Sequence, residues 1–186
     1  MTHWSDYFRN LGACEKALVE AQQYATAQEF WDACEHPDWL LWGWARCNPD
    51  NNFYLACCDI AEWSLSFYED VYPDDDRPRK AVEARRAFLR REITDAELKS
   101  AADAAEIAAW SAADAAVSAA EIAAWSAARI AARIAWSAGS AWSAAWSAGI
   151  AAESAGLKNL ADIIRARQPK APALPERLPA NYRRGQ

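Results

Sequence analysis

AADAAEIAAWSAADAAVSAAEIAAWSAARIAARIAWSAGSAWSAAWSAGIAAESA, residues 101–155, decides the fold: 27 of its 55 residues are alanine. The first alanine of each small step falls at 101, 104, 108, 112, 115, 119, 123, 127, 131, 135, 138, 141, 144, 148, 151 and 155, a mean spacing of 3.6 residues. That is the repeat of a straight α-helix. Alanine is the strongest helix former because its side chain loses no rotamer freedom and crowds no neighbour. A continuous ridge of methyl groups also lets a second helix backbone come close. The stretch therefore predicts helix packed tightly on helix. One unbroken helix over 95–166 would run about 105 Å, against a radius of gyration near ~16 Å for a domain of this size. The segment must fold back, and Gly139, Gly149 and Gly156 with their neighbouring serines are the expected breaks.

Tryptophan is the second signal in the same stretch. Trp110, Trp125, Trp136, Trp142 and Trp146 sit in AAWSAA-like units, and AAEIAAWSAA at 104–113 recurs at 119–128. At about 100° per residue the five indoles share a stripe roughly 120° wide, and Asp103, Glu106, Asp114 and Glu121 fall on the same side. An ordinary amphipathic helix separates apolar from charged faces. Here indole and carboxylate mix opposite an alanine ridge, which allows two readings. The indoles cap the core at its rim with the acids in water, or they wall a contact surface or cleft with charged edges.

Outward from this segment the chain carries repeated helix-start chemistry. Gly12 precedes ACEKALVEAQQY, with Ala13, Ala17, Leu18 and Ala21 at helical spacing. Thr26 and Glu29 form a capping-box pattern, and Thr94 with Glu97 forms a second that opens the alanine region. Pro37 ends one helix and Asp38 can cap WLLWGWARC; NPDNN at 48–52 is turn chemistry before FYLACCDIAEWSLSFYE. YPDDDRP at 72–78 reads as a loop, its aspartates a solvated cap for RKAVEARRAFLRRE. Nothing reads as a strand. The expectation is an all-α, multi-helix bundle with tightly packed alanine-rich C-terminal helices: one helical domain over 1–167, Trp/Cys-rich over 1–93 and Ala/Trp-repetitive over 94–167. Residues 168–186, with four prolines, should form an extended or disordered basic tail.

Charge is distributed unevenly. Residues 1–72 carry 12 acids and 3 bases, whereas 168–186 carry 1 and 4. An acidic front half argues against a duplex nucleic-acid binder and suits a basic protein partner. The five cysteines, Cys14, Cys34, Cys47, Cys57 and Cys58, include no CxxC pair, so buried free thiols are expected. With only His3 and His36 beside them, neither a metal nor another cofactor is expected. Charges interrupt the alanine segment too often for a membrane span, and MTHWSDYFRN lacks the basic start and apolar stretch of a secretory signal. A cytosolic location is the expectation.

Catalysis has little to stand on. There is no Gly-x-Ser-x-Gly elbow, phosphate loop or HExxH, and His36, beside Pro37 in a surface loop, is the one available base for a cysteine. The basic cluster Arg77, Arg79, Lys80, Arg85, Arg86, Arg90 and Arg91 either meets an anion such as phosphate or pairs with the acidic front half and the nearby aspartates.

Several stretches taken together, ACEKAL at 13–18, EFWDACEHPDWLLW at 29–42 and PDDDRPRKAVEARRAFL at 73–89 leading into the AAWSAA repeats, resemble a family of immunity proteins found in bacterial polymorphic-toxin loci and in phages. The resemblance spans roughly residues 11–166, and its most specific parts are Trp31, Cys34, Pro37, Asp38, Trp39 and Trp42, then Asp76, Arg77, Pro78 and Arg86. It implies a cytosolic, non-enzymatic protein that neutralises something by binding it. Two functions follow as expectations. The chain is a stoichiometric antagonist of a protein toxin or defence effector, or it is a phage-type sponge for a nucleotide-like immune signal, stacking bases on tryptophan and holding phosphates with arginine. The candidate binding residues are Trp110, Trp125, Arg129, Arg133, Trp136, Arg79, Arg86, Trp39 and Trp42. The identity of the target and any self-association stay open at this point.

Overall fold

Eight α-helices and no strand are found among the described residues, 3–47, 49–115 and 157–174 of the computed structural model. In chain order they are α1 (Asp6–Asn10), α2 (Glu15–Ala21), α3 (Ala27–Ala33), α4 (Pro37–Cys47), α5 (Asn51–Glu69), α6 (Arg77–Leu89), α7 (Asp95–Ala115) and α8 (Leu157–Arg167). The all-α expectation holds. No described helix is long and apolar enough to cross a membrane.

α5 is the axis. Asp50 caps it by accepting the Phe53 N–H at 3.0 Å. Its apolar residues recur at helical spacing on more than one side: Phe53, Ala56, Cys57, Cys58, Ile60, Ala61, Leu65 and Tyr68 are all buried. A helix buried on several sides needs several neighbours, and α4, α6 and α8 supply them. The main core joins Trp31 of α3, Leu40, Leu41 and Trp44 of α4, Phe53 to Leu65 of α5, Val82 of α6, and Leu160, Ala161 and Ile164 of α8.

α6 and α7 form an antiparallel-type helix pair joined by a short turn whose chemistry is fully readable. The Arg91 N–H donates to Phe88 O and the Glu92 N–H to Ala87 O, the two bonds of a Schellman stop, with Arg91 itself at φ 63°. Three residues later both halves of the Thr94/Glu97 capping box are present: the Glu97 N–H donates to Thr94 Oγ1 at 3.3 Å and the Thr94 N–H to Glu97 Oε2 at 2.8 Å. The Thr26/Glu29 box likewise opens α3. Alanine then sets the spacing between the helices. Ala102, Ala105, Ala108, Ala109 and Ala112 are buried, packing with Leu98, Ala81 and the half-buried Ala84, Phe88 and Ile93 at one end and with Tyr68, Val71 and Tyr72 at the other. At the start of α7 the buried line runs one residue later than the first-alanine series, with Ala102 and Ala105 buried and Ala101 and Ala104 only half-buried, and from Ala108 the two coincide, Ala108 and Ala112 both being buried. From Ala116 the ridge, with its expected glycine breaks, lies outside the described residues.

Residues 168–174 are extended, as the prolines predict, but they are docked on α3. Trp31 Nε1 donates to Gln168 O at 2.9 Å, Gln28 Nε2 to Pro169 O at 3.4 Å, and the Ala171 N–H to Gln28 Oε1 at 2.8 Å. Arg165 closes the same junction by donating to the Trp31 and Cys34 carbonyls at the end of α3.

Candidate functional site

The predicted arginines are found in a carboxylate network between α5, α6 and α8. Glu62 and Glu69 lie seven residues apart on α5, and Arg79 and Arg86 seven apart on α6, so each pair faces the other helix with the same two-turn spacing. Arg79 grips Glu69 through both Nε and Nη2, at 2.5 and 2.8 Å, and reaches Glu62 at 3.5 Å. Arg86 Nη2 donates to Glu62 at 2.6 Å and to Asp59 at 2.8 Å, and Arg167 of α8 holds both oxygens of Asp59 at 2.6 and 3.0 Å. The basic cluster thus pairs with acids of the front half, the second of its two sequence readings. Arg85, one residue from the network, is buried between the faces of Tyr54 and Phe88, with ring centroids 4.4 and 5.6 Å from its guanidinium carbon. Its Nε and Nη1 find no acceptor among the described residues, and burial lowers its pKa.

The aspartate run behaves differently from a solvated cap. Asp76 sits at the N-cap of α6 without a side-chain cap bond and pairs with Lys80 at 2.8 Å. Asp75 instead turns inward. It accepts from Tyr68 Oη at 2.6 Å, from Arg77 Nε and Nη2 at 2.8 and 2.6 Å, and from the Arg77 backbone N–H at 3.2 Å. The Arg77 guanidinium holds its carboxyl down at about 2, and burial pushes the Tyr68 hydroxyl well above its ordinary value. This clip closes the α5–α6 turn.

Three features bear on chemistry and contact. First, the thiols are suppressed: desolvation pushes Cys34, Cys47 and Cys58 up to about 12 and Cys57 well above its ordinary value, so a thiolate nucleophile is not available from them at neutral pH. Cys14 departs from the expected burial and is exposed. His36 is half-buried and stacks on Trp39 with centroids 3.9 Å apart. Among the described residues no group of three His, Cys, Asp or Glu side chains is arranged to hold a metal ion.

Second, the outward side of α7 carries large apolar groups in water. Trp110 is 64% exposed and Ile107 59%, one turn apart and beside the half-buried Asp103 and Glu106. Trp110 is the first indole of the predicted stripe. Trp125, Arg129, Arg133 and Trp136 lie outside the described residues.

Third, α1 to α4 and residues 171–174 enclose an aromatic pocket of about 360 Å³. Its walls include Trp4, Phe8, Phe30, Trp39, Trp42 and Leu174, with Asp38 at its edge. Trp4 is fixed by donating Nε1 to Tyr24 O at 3.0 Å, and His3 reaches the same carbonyl through Nε2 at 3.0 Å, which leaves Nδ1 to accept from Ser5 Oγ at 2.7 Å. Trp42 lies under the Arg46 guanidinium at 5.2 Å and against Phe8 at 6.1 Å. The structure therefore brings Trp39 and Trp42 into one pocket and Arg79 and Arg86 onto one carboxylate, with Trp110 on a third element. Trp4, Phe8, Phe30 and the 171–174 segment were missed from sequence. Their only signal is aromatic density, because the walls meet across 137 residues at the Trp31–Gln168 bond.

Comparison with known sequences then supplies the family. The profile of the Imm-5 like putative immunity proteins matches residues 52–161, more than half of the chain, and the chain belongs to that family. No curated protein and no solved structure matches it. The matched span holds α5, α6, α7 and the start of α8, and every wall of the aromatic pocket lies outside it.

Proposed function

We propose that this chain is the neutralising half of a toxin–immunity pair, binding a protein toxin or defence effector stoichiometrically and without turnover in the bacterial cytosol, from a chromosomal or phage-borne locus. The observation that carries this reading, beside the family, is the pair Ile107 and Trp110 standing in water on α7. An indole buries more area than any other side chain, and tryptophan is enriched among the residues that anchor interfaces, so two adjacent large apolar groups on a charged helix face supply such an anchor. By sequence spacing alone Trp125 and Trp136 would share the stripe of Trp110, with Arg129 and Arg133 at its border, but all four lie outside the described residues. The chain acts as one helical domain over 1–167.

A nucleotide sponge is supported less well. Arg79 and Arg86 each already hold two carboxylates, and a phosphate would have to displace them. The test is co-purification with the effector encoded in the same locus. A one-to-one complex on size exclusion is expected, weakened at least tenfold by Trp110→Ala with helical circular dichroism unchanged. An unweakened complex refutes the α7 contact. Saturable quenching of tryptophan fluorescence by a cyclic dinucleotide, with no protein complex formed, overturns the reading in favour of the sponge.

A further inference from the structure

We propose that the aromatic pocket of α1–α4 receives a bulky apolar side chain of the partner protein, with a lysine or arginine of the same segment lying beside it against Glu15 and Glu20. This rests on the neutralising-partner reading and names a second contact surface for it and the chemistry of what it grips.

The pocket is a built cavity rather than a crevice between loosely packed helices. Its volume lies within the range of about 300–1,000 Å³ typical of ligand sites, and its walls are anchored from several directions by the Trp4, Trp31 and Arg46 contacts already described. Gly43 keeps it open. It occupies the middle of α4, where glycine is an unfavourable helix residue, and a Cβ there would point at the Phe8 ring, meeting Cε1 at 3.7 Å. That is ordinary contact, so the backbone does not demand glycine. A larger side chain would project into the cavity.

The occupant's charge follows from the other side of Trp39. That indole is shared with a shallow groove lined by Glu15, Lys16, Val19, Glu20, Gln23 and His36. The groove holds two carboxylates against one ammonium, and Val19, 54% exposed, is part of its lining. His36 stacks on Trp39 and sets its plane. An apolar cavity and an acid-lined groove therefore adjoin across one aromatic wall, which matches a large apolar side chain followed by a cation that can lie against the indole and the carboxylates together. Residues 3–47, which build the pocket, carry seven carboxylates and three basic side chains, a balance that favours approach of a basic segment. Because the pocket lies outside the family-matched residues, it can set partner choice without altering the α5–α6–α7 frame.

The probe is the peptide acetyl-Gly-Phe-Lys-Lys-Gly-amide titrated into the full chain, read on the indole N–H resonances of Trp39 and Trp42. Saturable shifts at sub-millimolar peptide are expected, with a several-fold loss in the Glu15→Gln/Glu20→Gln double variant and at least a tenfold loss in Gly43→Leu. Gly43→Ala, which fits beside Phe8, keeps the fold if Gly43→Leu does not and should weaken the peptide about threefold. Equal binding of the neutral analogue with both lysines replaced by glutamine, or no effect of the glutamate pair, overturns the proposal in favour of an uncharged small-molecule site. No shift with either peptide also overturns it. In the effector complex, loss on Trp110→Ala but not on Gly43→Leu leaves the neutralising reading standing and sinks this one alone.

Discussion

Replacing Asp75 by asparagine should remove a defined part of the acid sensitivity of folding. In the folded chain the Asp75 carboxyl titrates at about 2 rather than 3.8, held down chiefly by its bidentate bond to Arg77 and opposed by partial burial. A folded-state value below the unfolded one means the stabilisation is present above about pH 4 and is lost as pH falls through the interval from 3.8 to about 2. The difference is nearly two pH units, each equivalent to about 1.4 kcal/mol, so the clip contributes on the order of 2 kcal/mol at neutral pH. The side chain is only 21% exposed, so solvent screening removes little of that. Urea unfolding at pH 6, 4, 3 and 2 reads it directly. Wild type should lose about 2 kcal/mol more than Asp75→Asn across that range, and Asp75→Asn should already be less stable at pH 6. Tyr68 does not titrate in this window, since its hydroxyl is held high and donates to Asp75 throughout. Parallel stability curves for the two proteins would show that the Tyr68–Asp75–Arg77 cluster does not hold the α5–α6 turn, and the linkage argument would fail.

The alanine seam and the thiols give two further tests. Ala105 is fully buried against α6, so Ala105→Leu should overpack the seam and cost roughly 1–3 kcal/mol in thermal or urea unfolding; a neutral result would mean that α7 is not packed through its alanines. Reaction with a thiol reagent at pH 8 should titrate Cys14 quickly and leave Cys34, Cys57 and Cys58 protected until denaturant is added; fast reaction of all five in the native protein would contradict the burial of α5.

Helical period, capping boxes and turn chemistry were readable one residue at a time, because each depends on neighbours within about four positions. Thr94, Glu97 and the alanine spacing therefore located α7 correctly. The phase of the ridge was less legible: a doublet such as Ala104–Ala105 has both members within about 100° of each other, and only the shape of α6 decides that Ala105 is the buried one. The arginine network was half legible. The seven-residue spacing of Glu62 and Glu69 matches that of Arg79 and Arg86, a signal strong enough to favour pairing over phosphate binding. Asp75 was not legible, since three consecutive aspartates carry no mark of which one meets Tyr68, seven residues back. The pocket was least legible of all. Its walls come from residues 4 to 47 and from 171 to 174, and no local pattern says that a proline-rich segment returns to α3.

Where the chain places its cations decides where a partner can be steered. Arg79, Arg86 and Arg167 are committed to Asp59, Glu62 and Glu69, so these three acids are neutralised at the α5–α6–α8 junction. Residues 3–47 carry seven carboxylates and three basic side chains, and one of those bases, Arg9, lies 3.8 Å from Asp6. The helices that build the aromatic pocket thus carry four more acids than bases over 3–47, and the frame beside them is also net negative but ties Asp59, Glu62 and Glu69 to its own arginines. A field of that sign raises the encounter rate of a basic surface and falls off over about 8 Å at physiological salt, short enough to distinguish one end of the molecule from the other. If the partner is basic, as proposed, it would be drawn to the glutamates beside the apolar walls of α1–α4, and its orientation on arrival would set which of its surfaces could meet Ile107 and Trp110.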